Sequence, residues 1–266
     1  MGHVYSRHTL GLRLDPDRAI RDQIQQAARL GARGVVLEAA GDLAPHRLGD
    51  TGRRELKHLL RSVELTLIAV HLPTRRGFDT TDQLDDRVRR ADAAFAMTFD
   101  LGARIVLAQA GAAPDGEAEP ARREVFNAAL ASLARRAEHR GVRLAIENGA
   151  EPGQRLRRFL DAMNDPSLAA SVDPPSLLRA GIDPVTAARD LGPWLAHAYA
   201  GDAIDSPNAP RNPRGVGFHP GSLDWEEYIG ALEESAYHGY LTVWPEPGAD
   251  AARAFKAVAG RIGEIG

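Results

Sequence analysis

The segment 142–149 ends in side chains that could do chemistry, because Glu147 and Asn148 follow a run of apolar residues. Alternate residues of a strand point to the same face, so Glu147 lies on the face opposite Leu144 and Ile146. A carboxylate at the end of a buried strand can transfer protons or bind a cation. Asn148 has a simpler explanation as well, since an Asn-Gly pair favours a turn.

Six other apolar segments end in comparable side chains, which are Glu38, His71, Gln109, Asp173, His197 with Tyr199, and Trp244 with Glu246. Carboxylates and imidazoles transfer protons, and an indole stacks on the apolar face of a sugar. Each also has a structural explanation. Asp173 can cap the next helix, His197 can be a hydrogen-bonded core residue, and Trp244 can fill the interior. A purely structural set would use Val, Ile or Leu at these places, so the joint pattern predicts one shared site.

The elements that carry these side chains alternate regularly along the chain. Eight strands, each followed by a helix, are predicted at 9–14, 34–39, 65–72, 104–109, 142–149, 168–173, 194–201 and 240–244. One helix is predicted to open at 15–17 and another to run from Pro174 to about Asp190. Eight βαβ units close a barrel in roughly 250 residues, with the strand ends converging on one mouth. We therefore predict an α/β fold, a (β/α)8 TIM barrel forming a single domain over residues 1–266. An open doubly wound sheet is the alternative, but no glycine-rich turn follows the first strand.

The composition narrows the classes of function. Of 266 residues, 44% are hydrophobic, and the net charge is −3 with a pI near 6.3, so the totals predict no nucleic-acid partner. The absence of cysteine excludes disulfides and thiolate chemistry. No long apolar run or signal segment is visible, which predicts a cytoplasmic protein without a membrane partner. The composition and net charge are also compatible with a homo-oligomer.

Several ordered motifs resemble the xylose isomerase-like barrel superfamily. They are GARGVVLE at 31–38, AIEN at 145–148, SVD at 171–173, HAYAGD at 197–202 and YHGYLTV at 237–243. Their order and spacing carry the resemblance, which covers essentially the whole chain. The superfamily includes sugar phosphate isomerases and epimerases, ketose 3-epimerases and a branch of DNA-repair endonucleases. The resemblance implies an isomerase or epimerase that acts on a small carbohydrate, sugar phosphate or polyol.

The resemblance also implies one divalent metal ion, such as Mn²⁺, Mg²⁺ or Zn²⁺. Members hold it with a Glu on strand five, an Asp on strand six, a His on strand seven and a Glu on strand eight. Glu147 and Asp173 match the first two positions, but Tyr199 and Trp244 stand at the other two. Tyrosine is a poor ligand at neutral pH and tryptophan cannot ligate a metal. Glu246, two residues beyond Trp244 and on the same face, could replace one missing ligand.

The remaining candidates are assigned by analogy with such a site. Glu147 and His197 are the catalytic candidates, and the predicted substrate contacts are His71, Trp244, Tyr199, Glu38, Asn148 and Arg214. His197 and His219 are further possible ligands. Arg214 with Arg211, or Arg75 with Arg76, could bind a phosphate, although solvated loop charges are the simpler explanation.

Two alternative functions stay open. A metal-free or degenerate relative would bind a carbohydrate without isomerising it, or would use acid–base chemistry through Glu147 and His197. A DNA-repair endonuclease would need more metal ligands and a basic surface, and the net charge of −3 argues against it.

Overall fold

The eight predicted strands close into a parallel barrel in the order β1 to β8. The computed structural model describes residues 8–114, 117–202, 223–245 and 249–265. The strands are β1 Leu10–Arg13, β2 Gly34–Glu38, β3 Thr66–Leu72, β4 Ile105–Ala108, β5 Arg143–Asn148, β6 Leu168–Val172, β7 Leu195–Ala200 and β8 Leu241–Val243. The prediction of a (β/α)8 TIM barrel is confirmed.

Helices follow the strands around the outside of the barrel. In the described residues they are α1 Ile20–Leu30, α2 Asp50–Ser62, α3 Leu84–Leu101, α4 Pro120–Arg140, α5 Gly153–Met163, α6 Pro174–Arg179, α7 Pro184–Leu191, α8 Trp225–Glu234 and α9 Ala251–Ile265. The apolar stripe of α3 is buried at Ala91 and Phe95, as its helical spacing requires. Within the described ranges, no helix has both the length and the apolar character to cross a membrane.

Strand alternation divides the core into two layers, one between sheet and helices and one inside the barrel. Leu144 and Ile146 belong to the outer layer, whereas Ala145 packs inside the barrel with Tyr199. The two faces predicted for β5 are therefore confirmed, and Glu147 shares the inward face of Ala145. The same alternation turns Arg13 inward at the end of β1, because Leu12 and Leu14 belong to the outer layer.

Two helix predictions were wrong in their boundaries. The helix expected from Pro174 to about Asp190 is two helices, because Gly181 adopts φ 73° and Asp183 caps a new helix by accepting from the N–H groups of Val185 and Thr186. The helix expected to open at 15–17 begins instead at Ile20. The side chain of Gln23 bonds both the N–H and the carbonyl of Asp15, which holds 15–18 as a turn.

Several candidates lie outside the described residues. Arg211, Arg214 and His219 fall in 203–222, and Glu246 falls in 246–248. Their predicted roles as phosphate, substrate or metal contacts stay predictions.

Candidate active site at the barrel mouth

Charged and aromatic side chains from six strands or strand ends meet at the C-terminal mouth of the barrel. We call this set the mouth cluster, and it consists of Arg13, Glu38, His71, Glu147, Tyr199 and Trp244. Five of its six members were predicted from the sequence. The register of the sheet explains part of the convergence, because Glu38 of β2 is the direct partner of His71 on β3.

Arg13 lies at the centre of the contacts within the cluster, and the sequence analysis did not predict it. Its residue surface is only 4% exposed. Nη1 donates to the hydroxyl of Tyr199 at 2.9 Å, and Nη2 donates to Oε2 of Glu38 at 2.8 Å. Nη2 also lies 2.8 Å from Nδ1 of His71. One guanidinium therefore contacts side chains from three other strands.

Glu147 is a buried, ionised carboxylate. Its Oε1 accepts from the hydroxyl of Tyr199 at 2.8 Å and lies 3.8 Å from Nη1 of Arg13. Burial by itself raises the pKa of Glu147, but the charges of His71 and Arg13 and the hydrogen bonds outweigh it and lower the pKa to about 2. Oε2 lies 3.4 Å from Nε2 of His71 and has no well-formed hydrogen bond among the described residues. Within the described part of the chain, this oxygen faces the ring of His71 at a distance that leaves it able to accept a hydrogen bond from a ligand.

His71 lies between the two carboxylates of the cluster. Nδ1 is 3.5 Å from Oε2 of Glu38, while Nε2 faces Glu147. Burial lowers the pKa of His71, but the neighbouring charge of Glu147 and the hydrogen bonds to both carboxylates raise it above its ordinary value. When His71 is neutral, Nδ1 accepts from Arg13 and Nε2–H points to Glu147. When it is protonated, the charges of Arg13, His71, Glu38 and Glu147 sum to zero.

Glu38 is also held as the ionised form, on the more open side of the cluster. Its side chain is 16% exposed. Burial raises the pKa of Glu38, but hydrogen bonds from His71 and Arg13 outweigh that effect, so the net shift is downward.

The aromatic members cover the guanidinium of Arg13. Its Cζ atom lies 3.8 Å from the ring centroid of Trp244, close enough for a cation–π interaction. The rings of Trp244 and Tyr199 are 5.5 Å apart at an interplanar angle of 36°. One face of Trp244 is thus used by Arg13, and its contact with a sugar stays a prediction.

Two cavities border the cluster. A cavity of about 350 Å³ is lined by Arg13, Glu38, His71 and Trp244. Glu147 lines a neighbouring cavity of about 500 Å³ together with Glu151 and Arg179. Gln109, another predicted candidate, borders both. Volumes of this size suit a small molecule.

Asp173 lies close to the mouth, but its carboxylate is turned to the next helix. It is the N-cap of α6, where Oδ1 accepts from the N–H of Ser176 at 3.3 Å and Oδ2 accepts from its hydroxyl at 2.5 Å. Burial, with a smaller contribution from the charge of Glu147, raises the pKa of Asp173 to about 6. The capping explanation given for Asp173 is confirmed.

His197 lies deeper in the barrel than the mouth cluster. It is 0% exposed, with Nδ1 at 2.8 Å from the hydroxyl of Ser171 and Nε2 at 2.9 Å from that of Thr242. Burial lowers the pKa of His197 to about 3, so the ring stays neutral. With both nitrogens engaged, the geometry favours a core role and gives no support to the predicted catalytic one.

Asn148 is not brought to the mouth. Its register partner Val172 belongs to the outer core layer, so its side chain leaves the barrel on the helix side. It is 0% exposed, and neither amide atom has a hydrogen-bond partner in the part of the chain described. The predicted substrate contact by Asn148 has no support in this geometry.

Among the residues that the structure describes, the side chains at the mouth do not fit the divalent ion that the resemblance implies. Asp173 caps a helix, and Glu147 lies 3.8 Å from the guanidinium of Arg13, whose permanent charge would repel a divalent ion at that distance. Tyr199 and Trp244 contact that guanidinium from the two positions where further ligands were expected. In the described ranges, no group of three or more His, Cys, Asp or Glu side chains could hold a metal.

Comparisons with known proteins agree with the fold. Residues 24–259 match the model of the family described as xylose isomerase-like TIM barrel. Among curated proteins, none matches the chain significantly.

Solved structures match over nearly the full length at low identity. A xylose isomerase domain protein from Planctomyces limnophilus has a TM-score of 0.79 at 15% identity, covering 98% of this chain and 96% of that one. A D-psicose 3-epimerase with D-tagatose, from Clostridium cellulolyticum H10, has a TM-score of 0.76 at 16% identity, covering 97% and 99%. A D-allulose 3-epimerase from Methylomonas sp., in complex with D-allulose, has a TM-score of 0.75 at 18% identity, covering 98% of each chain. These likenesses establish a shared fold.

Proposed function

This chain belongs to the xylose isomerase-like TIM barrel family, and we propose that it acts on a small carbohydrate or sugar phosphate by proton transfer at the barrel mouth. The supporting observation is the state of Glu147. Its carboxylate is ionised, lines a cavity beside a cation, and has one oxygen without a well-formed hydrogen bond among the described residues. Solved structures of the same fold include a D-psicose 3-epimerase with D-tagatose and a D-allulose 3-epimerase in complex with D-allulose.

The proposed reaction begins with proton transfer to Glu147. The bond between carbon and hydrogen next to a substrate carbonyl breaks, the proton passes to Oε2, and the electron pair forms an enediolate with its charge on the former carbonyl oxygen. Isomerisation follows when Glu147 returns the proton to the neighbouring carbon and a proton moves between the two oxygens. Epimerisation needs a second group on the opposite face of the same carbon. Glu38, the other carboxylate that contacts Arg13, is the candidate for it.

One observation favours carbohydrate binding without turnover as a second candidate function. A general base works best with a pKa near the operating pH, whereas the pKa of Glu147 is about 2. A carboxylate of that kind is well suited to accept hydrogen bonds from sugar hydroxyls. Catalysis therefore requires that a bound substrate weaken the contacts of Glu147 with His71 or Arg13.

Hydrogen–deuterium exchange separates the two candidates. The protein is incubated in D₂O with D-fructose, D-tagatose, D-allulose or D-fructose 6-phosphate, and exchange at each carbon is followed by proton NMR. We expect exchange next to the carbonyl of at least one sugar, slowed roughly 10²- to 10⁴-fold in Glu147→Gln. Glu55→Gln, which changes an exposed glutamate of α2, is the matched control and should keep the wild-type rate.

Binding of the same sugars is measured by saturation-transfer NMR. Binding without exchange would replace the enzymatic proposal with the binding one. If no sugar either binds or exchanges, both candidates are overturned for these sugars.

A further inference from the structure

We propose that the guanidinium of Arg13, with His71 beside it, takes the place of the divalent cation at this barrel mouth, compensating the charges of Glu38 and Glu147 and presenting N–H groups to a substrate oxygen. The first part of this proposal, compensation of the carboxylate charges, concerns the protein alone. The second part, contact with a substrate oxygen, rests on the proposed carbohydrate function.

Charge balance is the first support. Transferring an ionised carboxylate from water into a protein interior costs several kcal/mol unless a cation compensates it. The side chain of Glu147 is only 2% exposed and that of Glu38 is 16% exposed. Arg13 lies 2.8 Å from a carboxylate oxygen of Glu38 and 3.8 Å from one of Glu147. Arg13 therefore lies within ion-pair distance of both carboxylates, as does His71, and it is the one of the two whose charge is permanent.

The residues at the two lost ligand positions are the second support. The hydroxyl of Tyr199 accepts from Arg13 at 2.9 Å, and the ring of Trp244 lies 3.8 Å from its Cζ. A tyrosine oxygen and an indole face both stabilise a guanidinium, and neither serves a divalent ion at neutral pH. Arg13 is present and the two expected metal ligands are absent, which is consistent with a guanidinium in the place of a metal ion.

The donor geometry of Arg13 is the third support. A guanidinium carries five N–H groups and stays charged in proteins. In the described part of the chain, Tyr199, Glu38 and His71 account for three of those groups. Arg13 also lines the cavity of about 350 Å³, which shares Gln109 with the cavity that Glu147 lines. Fixed donors in a buried site stabilise an oxyanion more strongly than water does. The proposed enediolate carries such a negative charge on its oxygen.

Metal binding tests the first part without any substrate. Mn²⁺ alone is titrated into wild type, Arg13→Ala and the exposed control Arg29→Ala, and free Mn²⁺ is measured by electron paramagnetic resonance. We expect no stoichiometric binding at millimolar Mn²⁺ by wild type or the control. Arg13→Ala should gain affinity, because it removes the permanent positive charge between Glu38 and Glu147 and leaves His71, which can give up its proton to make room for the metal. Arg13→Lys, which keeps the charge, should resemble wild type and provides the comparison if Arg13→Ala does not fold. One tightly bound Mn²⁺ per wild-type chain would overturn the proposal.

Chemical rescue tests the second part. With a sugar that wild type exchanges, Arg13→Ala should lose roughly 10²- to 10³-fold in the rate of deuterium exchange. Guanidinium chloride should restore at least part of that rate, whereas sodium chloride at equal ionic strength should not. Loss without rescue, in a folded variant that binds the sugar normally, would refute the contact with substrate. If wild type exchanges no sugar, the proposed function fails, and the Mn²⁺ titration still decides the role of Arg13 as the cation.

Discussion

Glu151 provides a direct test of the electrostatics around the second cavity. Its side chain is 8% exposed and belongs to a residue that lines the same cavity as Glu147. Burial raises the pKa of Glu151 from 4.5 to about 7, because the N–H of Ala113 at 3.2 Å and the guanidinium of Arg155 at 3.6 Å compensate only part of the lost hydration. The folded protein therefore binds a proton at Glu151 over a pH range in which the unfolded chain has released it.

The sign of the pH effect follows from proton linkage. Since the folded pKa is the higher one, the contribution of Glu151 to stability is complete below about pH 4.5 and is lost as the pH rises towards about 7. At about 1.4 kcal/mol per pKa unit, the free energy of unfolding should fall by roughly 3 kcal/mol across this range. Glu151→Gln keeps an oxygen to accept from Ala113 and cannot ionise. We expect this variant to lack that part of the pH dependence.

The measurement is urea unfolding of wild type, Glu151→Gln and Glu55→Gln at about pH 4.5 and about pH 8. The exposed control should follow wild type, whereas Glu151→Gln should gain roughly 3 kcal/mol relative to wild type at the higher pH only. An equal difference between variant and wild type at both pH values would refute the assignment, because the effect would then come from packing and not from ionisation.

Two further substitutions test residues that the geometry places away from the chemistry. Asn148→Leu should raise the free energy of unfolding by about 1–3 kcal/mol in urea denaturation, because it removes a buried amide without hydrogen-bond partners among the described residues. A marked loss of stability would mean that this amide has a partner. His197→Gln can replace the bonds to Ser171 and Thr242 but cannot titrate, so deuterium exchange by any active sugar should persist. A loss as large as that of Glu147→Gln would restore the catalytic role predicted for His197.

The barrel was predictable because its signals are local and repeated. Each strand is a short apolar run, each helix shows its own periodicity, and eight such units have one common closed arrangement. The errors occurred where local chemistry decides the boundary. Asp183 restarts a helix after Gly181, and the side chain of Gln23 holds a turn where a helix was expected.

The site was predictable only in part. The end of a strand shows that a residue lies near the mouth, but strand alternation must also be applied to decide whether its side chain points into the barrel. Glu38, His71 and Glu147 meet as expected because each lies at the last or next-to-last position of its strand, on the inward face. Asn148 is adjacent in sequence to Glu147 yet points to the other layer, and alternation alone could have shown this. Arg13 carries the same signal, because it is a charged residue between Leu12 and Leu14 of the outer layer.

The position of Arg13 explains why the two expected metal ligands are replaced together, by Tyr199 and Trp244. A buried Glu147 stays ionised only beside positive charge, which it receives from His71 at 3.4 Å and from the permanently charged guanidinium of Arg13 at 3.8 Å. A guanidinium is planar and offers donors around its edge and a face for stacking, so it favours an acceptor at its edge and an aromatic ring over its face. Tyr199 provides the acceptor and Trp244 provides the ring. If His and Glu replaced Tyr199 and Trp244 while Arg13 was kept, the two new side chains and the guanidinium would compete for the same space. A metal site at this mouth requires that Arg13 be removed first.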